Sequence, residues 1–151
     1  MQIIENQTLN YKNLIAYGTQ TRISEIPQLL GYISENLHNL GLSSVGRTLF
    51  TIKEKSGFQD MIDVKVMIPV DGELKSCDEY VHKPIFRLIN AVTIRHEGNI
   101  NDIDDTLSTL RAHITRMSYE TVTEPYYSVV RTDSSGDSII DIYVGINYNV
   151  L

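Results

Sequence analysis

A strand, a helix and two further strands occur in that order twice along the chain, and this duplication constrains the fold more than any single motif. In the first copy an apolar strand runs from Leu9 to Tyr17 and closes at Gly18. A helix follows over about Ser24 to Leu40, with Ile26, Leu29, Leu30, Ile33, Leu37 and Leu40 repeating at i, i+3, i+4 spacing. Ser24 is placed to cap this helix, Pro27 fits its first turn, and Gly41 supplies its stop. Strands over about Val45 to Lys53 and Met61 to Val70 complete the copy, with Ser56-Gly57 as the turn between them.

The second copy runs from a strand over about Ile85 to Arg95, closing at Gly98, into a helix ending near Tyr119. Asn101 or Asp102 caps that helix, and Ile103, Leu107, Leu110, Ile114 and Met117 form its apolar face. Strands over about Thr121 to Thr132 and Ser138 to Asn147 follow, joined through Ser134-Ser135-Gly136-Asp137. Gly18 and Gly98 align at an offset of 98 − 18 = 80, and Asp63 and Asp141 at 141 − 63 = 78. The expected fold is therefore α+β: tandem duplicated βαββ units forming an antiparallel sheet with two helices packed on it. Residues 1–151 read as a single domain, with repeats at about 9–70 and 85–147 and a polar connector over 71–84.

Composition agrees with a globular chain of this length: 151 residues, 42% hydrophobic and 21% charged. No apolar run is long enough to cross a membrane, and the N-terminal residues lack the basic-then-apolar order of a signal peptide. The single cysteine, Cys77, cannot form an internal disulfide, which suits a reducing, cytoplasmic setting. Thirteen Lys and Arg against nineteen Asp and Glu give a formal charge of −6, with no basic cluster to displace counterions from a phosphate backbone. Neither a nucleic-acid nor a membrane partner is expected.

Alternation separates the faces of the two closing strands. Ile62, Val64, Val66, Ile68 and Val70 share one face of the first, and Ile140, Ile142, Val144 and Ile146 one face of the second. These faces should pack under the helices. The opposite faces carry Asp63, Lys65 and Met67, and Asp141, Tyr143, Gly145 and Asn147. They are either solvated or line a cleft.

The tandem βαββ order, with His96-Glu97-Gly98 before the second helix and Asp141-Ile142-Tyr143-Val144 in the last strand, resembles the gyrase-inhibitor-like family. The same domain is the effector-binding module of AraC- and MerR-type regulators. The resemblance spans about Leu9 to Asn147 and implies an aromatic small-molecule pocket between the two repeats. Members of this family bind lipophilic compounds or proteins, and some hydrolyse strained lipophilic substrates. Two departures stand out: this chain has no Trp, and Glu124 precedes Pro125 instead of following an aromatic residue within the strand.

Nine tyrosines against three phenylalanines supply flat apolar faces with polar handles. Tyr17, Tyr126, Tyr127 and Tyr143 fall on strands, and Tyr126 and Tyr127 must point to opposite faces. With Asp141 and Glu124 they form the candidate ligand-binding set. The expected function is non-catalytic binding of a small lipophilic or aromatic effector in the cleft between the repeats. One alternative is a protein-interaction or homodimerisation module, and another is a hydrolase using Asp141 or Glu124. No catalytic nucleophile occurs at a recognisable spacing, and His38, His82, His96 and His113 form no metal-ligand unit, so neither a metal nor a cofactor is expected. The acidic run Asn101-Asp102-Ile103-Asp104-Asp105 is accounted for by its place at a helix N-terminus.

Overall fold

The computed structural model describes residues 2–54, 61–73, 79–133 and 135–147. The expected turn at Ser56-Gly57, Cys77 and Ser134 lie outside the described residues. The class is α+β, built of two βαββ units with antiparallel strand pairing and one long helix in each.

The chain divides into two compact units, residues 10–86 and residues 1–9 with 87–151. Strand β1 (Ile3–Arg22) and strand β4 (Val81–Asn99) each contribute to both, because the divisions fall inside them. In the first unit β3 (Met61–Pro69) lies between β1 and β2 (Leu49–Glu54), antiparallel to each. Its helix is α1 (Ile26–Asn39), which buries Ile26, Ile33 and Leu37. In the second unit β7 (Asp137–Asn147) lies between β4 and β6 (Tyr126–Thr132), and the two-residue β5 (Glu120–Thr121) pairs with the far end of β7. Its helix is α2 (Ile103–Arg116), which buries Ile103, Leu107, Leu110 and Ile114.

The helices begin at 26 and 103 and end at 39 and 116, so the repeat offset is 103 − 26 = 77. This corrects the alignment through glycines. Gly98 corresponds to Thr21 and Gly18 to Arg95. Gly98 has φ 129°, a conformation that favours glycine, whereas Gly18 sits within β1 with no positive φ. A second correction concerns the caps. A 3₁₀ turn precedes each helix (Ile23–Glu25 and Ile100–Asp102), and in the second unit the side-chain cap lies ahead of that turn. Ser24 lies inside the first turn, and the cap residues Glu25 and Asp102 make no side-chain cap bond. Asn99 caps instead, its side-chain oxygen accepting from the Asn101 amide at 2.8 Å.

Both helices stop in the same way. Gly41 (φ 81°) donates to His38 O, and Leu42 reaches back to Leu37 O at 2.9 Å. Ser118 (φ 58°) donates to Thr115 O, and Tyr119 to Ile114 O at 3.0 Å. These are paired Schellman closures, which satisfy carbonyls that the helix leaves open. Gly41 is thus the expected stop, while its counterpart is a serine.

β1 is much longer than the expected Leu9 to Tyr17. Two asparagines, Asn6 (φ 59°) and Asn13 (φ 57°), interrupt its pleat without ending it. Asn90 (φ 58°) does the same in β4, 77 residues after Asn13. Asn13 Nδ2 donates to Val70 O at 2.8 Å and Asn90 Nδ2 to Ile146 O at 3.1 Å, so each turns a tolerated left-handed residue into a clamp on the end of its repeat. The expected strand over Thr121 to Thr132 is split into β5 and β6 around Pro125, which has no amide to donate.

Candidate functional site

The register of the second unit assembles the site. Tyr126 of β6, Tyr143 of β7 and Thr93 of β4 are directly opposite one another across three strands. Two residues along, Ser128, Asp141 and Arg95 form the next row. Paired residues in an antiparallel ladder share a face, so all six side chains lie on one side of this sheet.

The other side faces α2. It carries Tyr127, Ile142 and Ile94 as a row, and His96 opposite Ile140. His96 is buried, with Nδ1 2.7 Å from Thr106 Oγ1 on α2 and Nε2 2.9 Å from the Asn99 carbonyl. Since a carbonyl only accepts, Nε2 carries a proton there. This is a structural histidine that ties β4 to its helix. Burial pushes the Tyr127 hydroxyl up to about 12, with the Asp104 charge on α2 adding to the shift.

On the candidate face, Tyr143 and Asp141 are buried and Tyr126 is half-buried. Burial raises the Tyr126 pKa, and the Glu124 charge adds to that. Arg95 donates twice to Asp141, Nε to Oδ1 at 2.8 Å and Nη2 to Oδ2 at 3.1 Å. The hydrogen bonds and the carboxylate charge raise the Arg95 pKa above its ordinary value. Two hydroxyls on this face are buried, Thr93 at 7% and Ser128 at 0% exposure, and neither has a hydrogen-bond partner among the described residues.

The strand beside the face is held tightly. The Gly145 amide donates to Thr123 Oγ1 at 2.9 Å, and Val122 donates to the Gly145 carbonyl at 2.8 Å. A Cβ at position 145 would stand 2.7 Å from Thr123 Cγ2, so only glycine fits.

The sequence-derived site residues therefore separate. Asp141, Tyr126 and Tyr143 come together. Tyr127 is on the α2 side. Glu124 is exposed, in the break between β5 and β6. Tyr17 belongs to the first unit, opposite Val66, with its ring 5.5 Å from that of Tyr80. By repeat position Tyr17 matches Ile94, on the helix-facing side of the second unit.

Comparison of the two repeats isolates what is special about this face. The equivalent two rows in the first unit are Leu49, Met67 and Ala16, then Thr51, Lys65 and Gly18. The same backbone grid thus carries aromatic, acidic and guanidinium groups in one copy only. Sequence reasoning missed Arg95, Thr93 and Ser128. The available signal was that Thr93 and Arg95 alternate along the expected strand over Ile85 to Arg95, and Ser128 lies two residues from Tyr126 on the expected strand over Thr121 to Thr132.

No family model and no curated protein sequence matches the chain. Solved structures do. The chain is similar to EcmrR in its DNA complex, with TM-score 0.74 and 15% identity over 96% of this chain; it spans 57% of that EcmrR chain. The separate C-terminal domain of EcmrR gives TM-score 0.72 and 16% identity, covering 97% of this chain and 99% of that domain. SAV2435 bound to tetraphenylphosphonium gives TM-score 0.51 and 11% identity, covering 97% and 93%. At these identities the shared feature is the fold.

Proposed function

We propose that the chain is a non-catalytic effector-binding domain of the gyrase-inhibitor-like type, which binds a small, partly aromatic molecule on the Tyr126–Tyr143–Asp141 face of its second repeat. The observation that carries this reading is the divergence of the two repeats on one backbone grid. Packing alone is served by Leu49, Met67 and Ala16 in the first unit, so the tyrosines at the matching positions 126 and 143 answer another demand, and Asp141 stands where the first unit has Lys65. Tyrosine rings offer stacking area with little loss of side-chain freedom, and buried polar groups fix orientation. The fold shared with SAV2435, which was solved with tetraphenylphosphonium, supports the same class of activity.

Thermal unfolding in the presence of a library of aromatic and lipophilic compounds tests this. A ligand of the folded state raises stability by about 2.7 kcal/mol at a hundredfold excess over its Kd. A saturable shift that Tyr143→Ala removes is the expected result. Absence of any such shift across the library counts against the proposal.

A second reading, a protein-interaction or dimerisation surface, draws on Val81 and Ile85, exposed apolar residues four apart on β4. A concentration-independent monomer in sizing experiments would remove its dimer form.

A further inference from the structure

Resting on the binding role proposed above, we infer that the second-repeat face selects an uncharged aromatic molecule with hydrogen-bonding groups on its edge, and that Arg95 is the residue that excludes cations. A buried carboxylate beside two tyrosine rings is, by itself, a receptor for a cation. Here the carboxylate is already matched. Arg95 stands directly opposite Asp141 in the β4–β7 ladder, and its fork occupies both oxygens, at 2.8 and 3.1 Å. The pair is formally neutral. A second cation placed against Asp141 would meet the guanidinium at close range, where like charges repel strongly.

The same face offers a different kind of recognition. Thr93 and Ser128 hold buried hydroxyls with no partner among the described residues. Each hydroxyl can donate one hydrogen bond and accept others. They flank β7 from either side and lie one row apart, so ideal strand spacings put them roughly 12 Å apart on the diagonal, with Tyr143 and Asp141 between. That span matches the reach of two or three fused rings carrying carbonyl or N–H groups at the rim. The first repeat has no such arrangement, since its matching positions include Ala16 for Thr93, Gly18 for Arg95 and Lys65 for Asp141.

Two fluorescent tricyclic probes of nearly the same shape test the charge rule. Acridone is neutral and bears a ring N–H and a carbonyl, whereas 9-aminoacridine is a cation at pH 7. Fluorescence titration of the full chain should show acridone binding at least tenfold tighter. In Arg95→Gln, which takes the guanidinium charge away from Asp141, the preference should move at least tenfold toward 9-aminoacridine, while Arg95→Lys should keep the wild-type order. The double variant Thr93→Val/Ser128→Ala removes only unpartnered hydroxyls, so it should fold as well as the parent and lose at least tenfold in acridone affinity. Equal or tighter binding of 9-aminoacridine by the parent chain overturns the inference. If Tyr143→Ala abolishes that cation binding, the effector-binding role itself still stands. Undiminished acridone binding by the double variant also overturns it. Failure of both probes with the parent and with Arg95→Gln overturns the charge rule, and an unresponsive library then removes the binding role as well.

Discussion

Ser128 and Asp141 are direct partners in the β6–β7 ladder, yet they have opposite fates: the carboxylate is gripped twice by Arg95, and the serine hydroxyl, fully buried, has no partner among the described residues. A buried hydroxyl without a hydrogen bond costs about 1–3 kcal/mol of desolvation. Ser128→Ala should therefore leave the free protein as stable as before, or stabilise it by about 1 kcal/mol. Chemical denaturation of the ligand-free chain checks this, and a loss of more than 1 kcal/mol would mean that the hydroxyl is satisfied.

Glu5 reports on acid stability. Its carboxylate accepts from Tyr119 Oη at 2.5 Å and contacts His113 Nε2 at 3.0 Å, and both interactions hold its pKa below the ordinary glutamate value. A depressed carboxylate pKa stabilises the folded state above the unfolded-state value, and that contribution disappears as pH falls through the folded value. The melting temperature should drop as the solution is acidified below about pH 4.5, with Glu5→Gln less stable near neutrality and flatter through the acid limb. Parallel melts of the two proteins from pH 7 to pH 3 provide the comparison.

At the alkaline end Tyr127 takes over. Its pKa, pushed up to about 12, lies above the ordinary tyrosine value of 10, so the stability it contributes is complete below pH 10 and lost as pH rises toward about 12. Ultraviolet titration should show Tyr127 ionising late, at about pH 12, with Tyr126 also raised above the ordinary value. In Tyr127→Phe that late step should vanish and the alkaline loss of stability should become shallower.

Gly145→Ala tests how closely Thr123 crosses β7. The added methyl would meet Thr123 Cγ2 at 2.7 Å and Leu88 Cδ1 at 3.1 Å. Overpacking of this kind costs about 1–3 kcal/mol. Gly31→Ala, in a helix with open space around the glycine, is the control and should be neutral or stabilising. The urea midpoint should fall for Gly145→Ala and hold or rise for Gly31→Ala.

The helices were legible because their apolar spacing is local, and the alternation of Ile140, Ile142 and Val144 correctly assigned the α2-facing side of β7. The full length of β1 was not, because Asn6 and Asn13 look like turn residues and act instead as left-handed steps inside a strand. Glycine alignment misled for a related reason: Gly98 is required by its backbone and Gly18 is not. Asp141 and Tyr143 could be singled out from one strand, and Tyr126 from its neighbour. Arg95 as the partner of Asp141 depends on the β4–β7 register, a relation between residues 46 positions apart that no local pattern encodes.

The repeat offset, 77 between the helices and 76 between β3 and β7, gives many positions a counterpart elsewhere in the same molecule. Ser118 and Gly41 occupy the same left-handed step, and Asn90 and Asn13 the same clamp. A glycine exchanged into position 118 can be judged against one that already works at 41, under identical temperature, solvent and concentration. Because the two repeats lie on one backbone grid, the protein carries its own matched reference, in which what differs in the second repeat is read by subtracting the first.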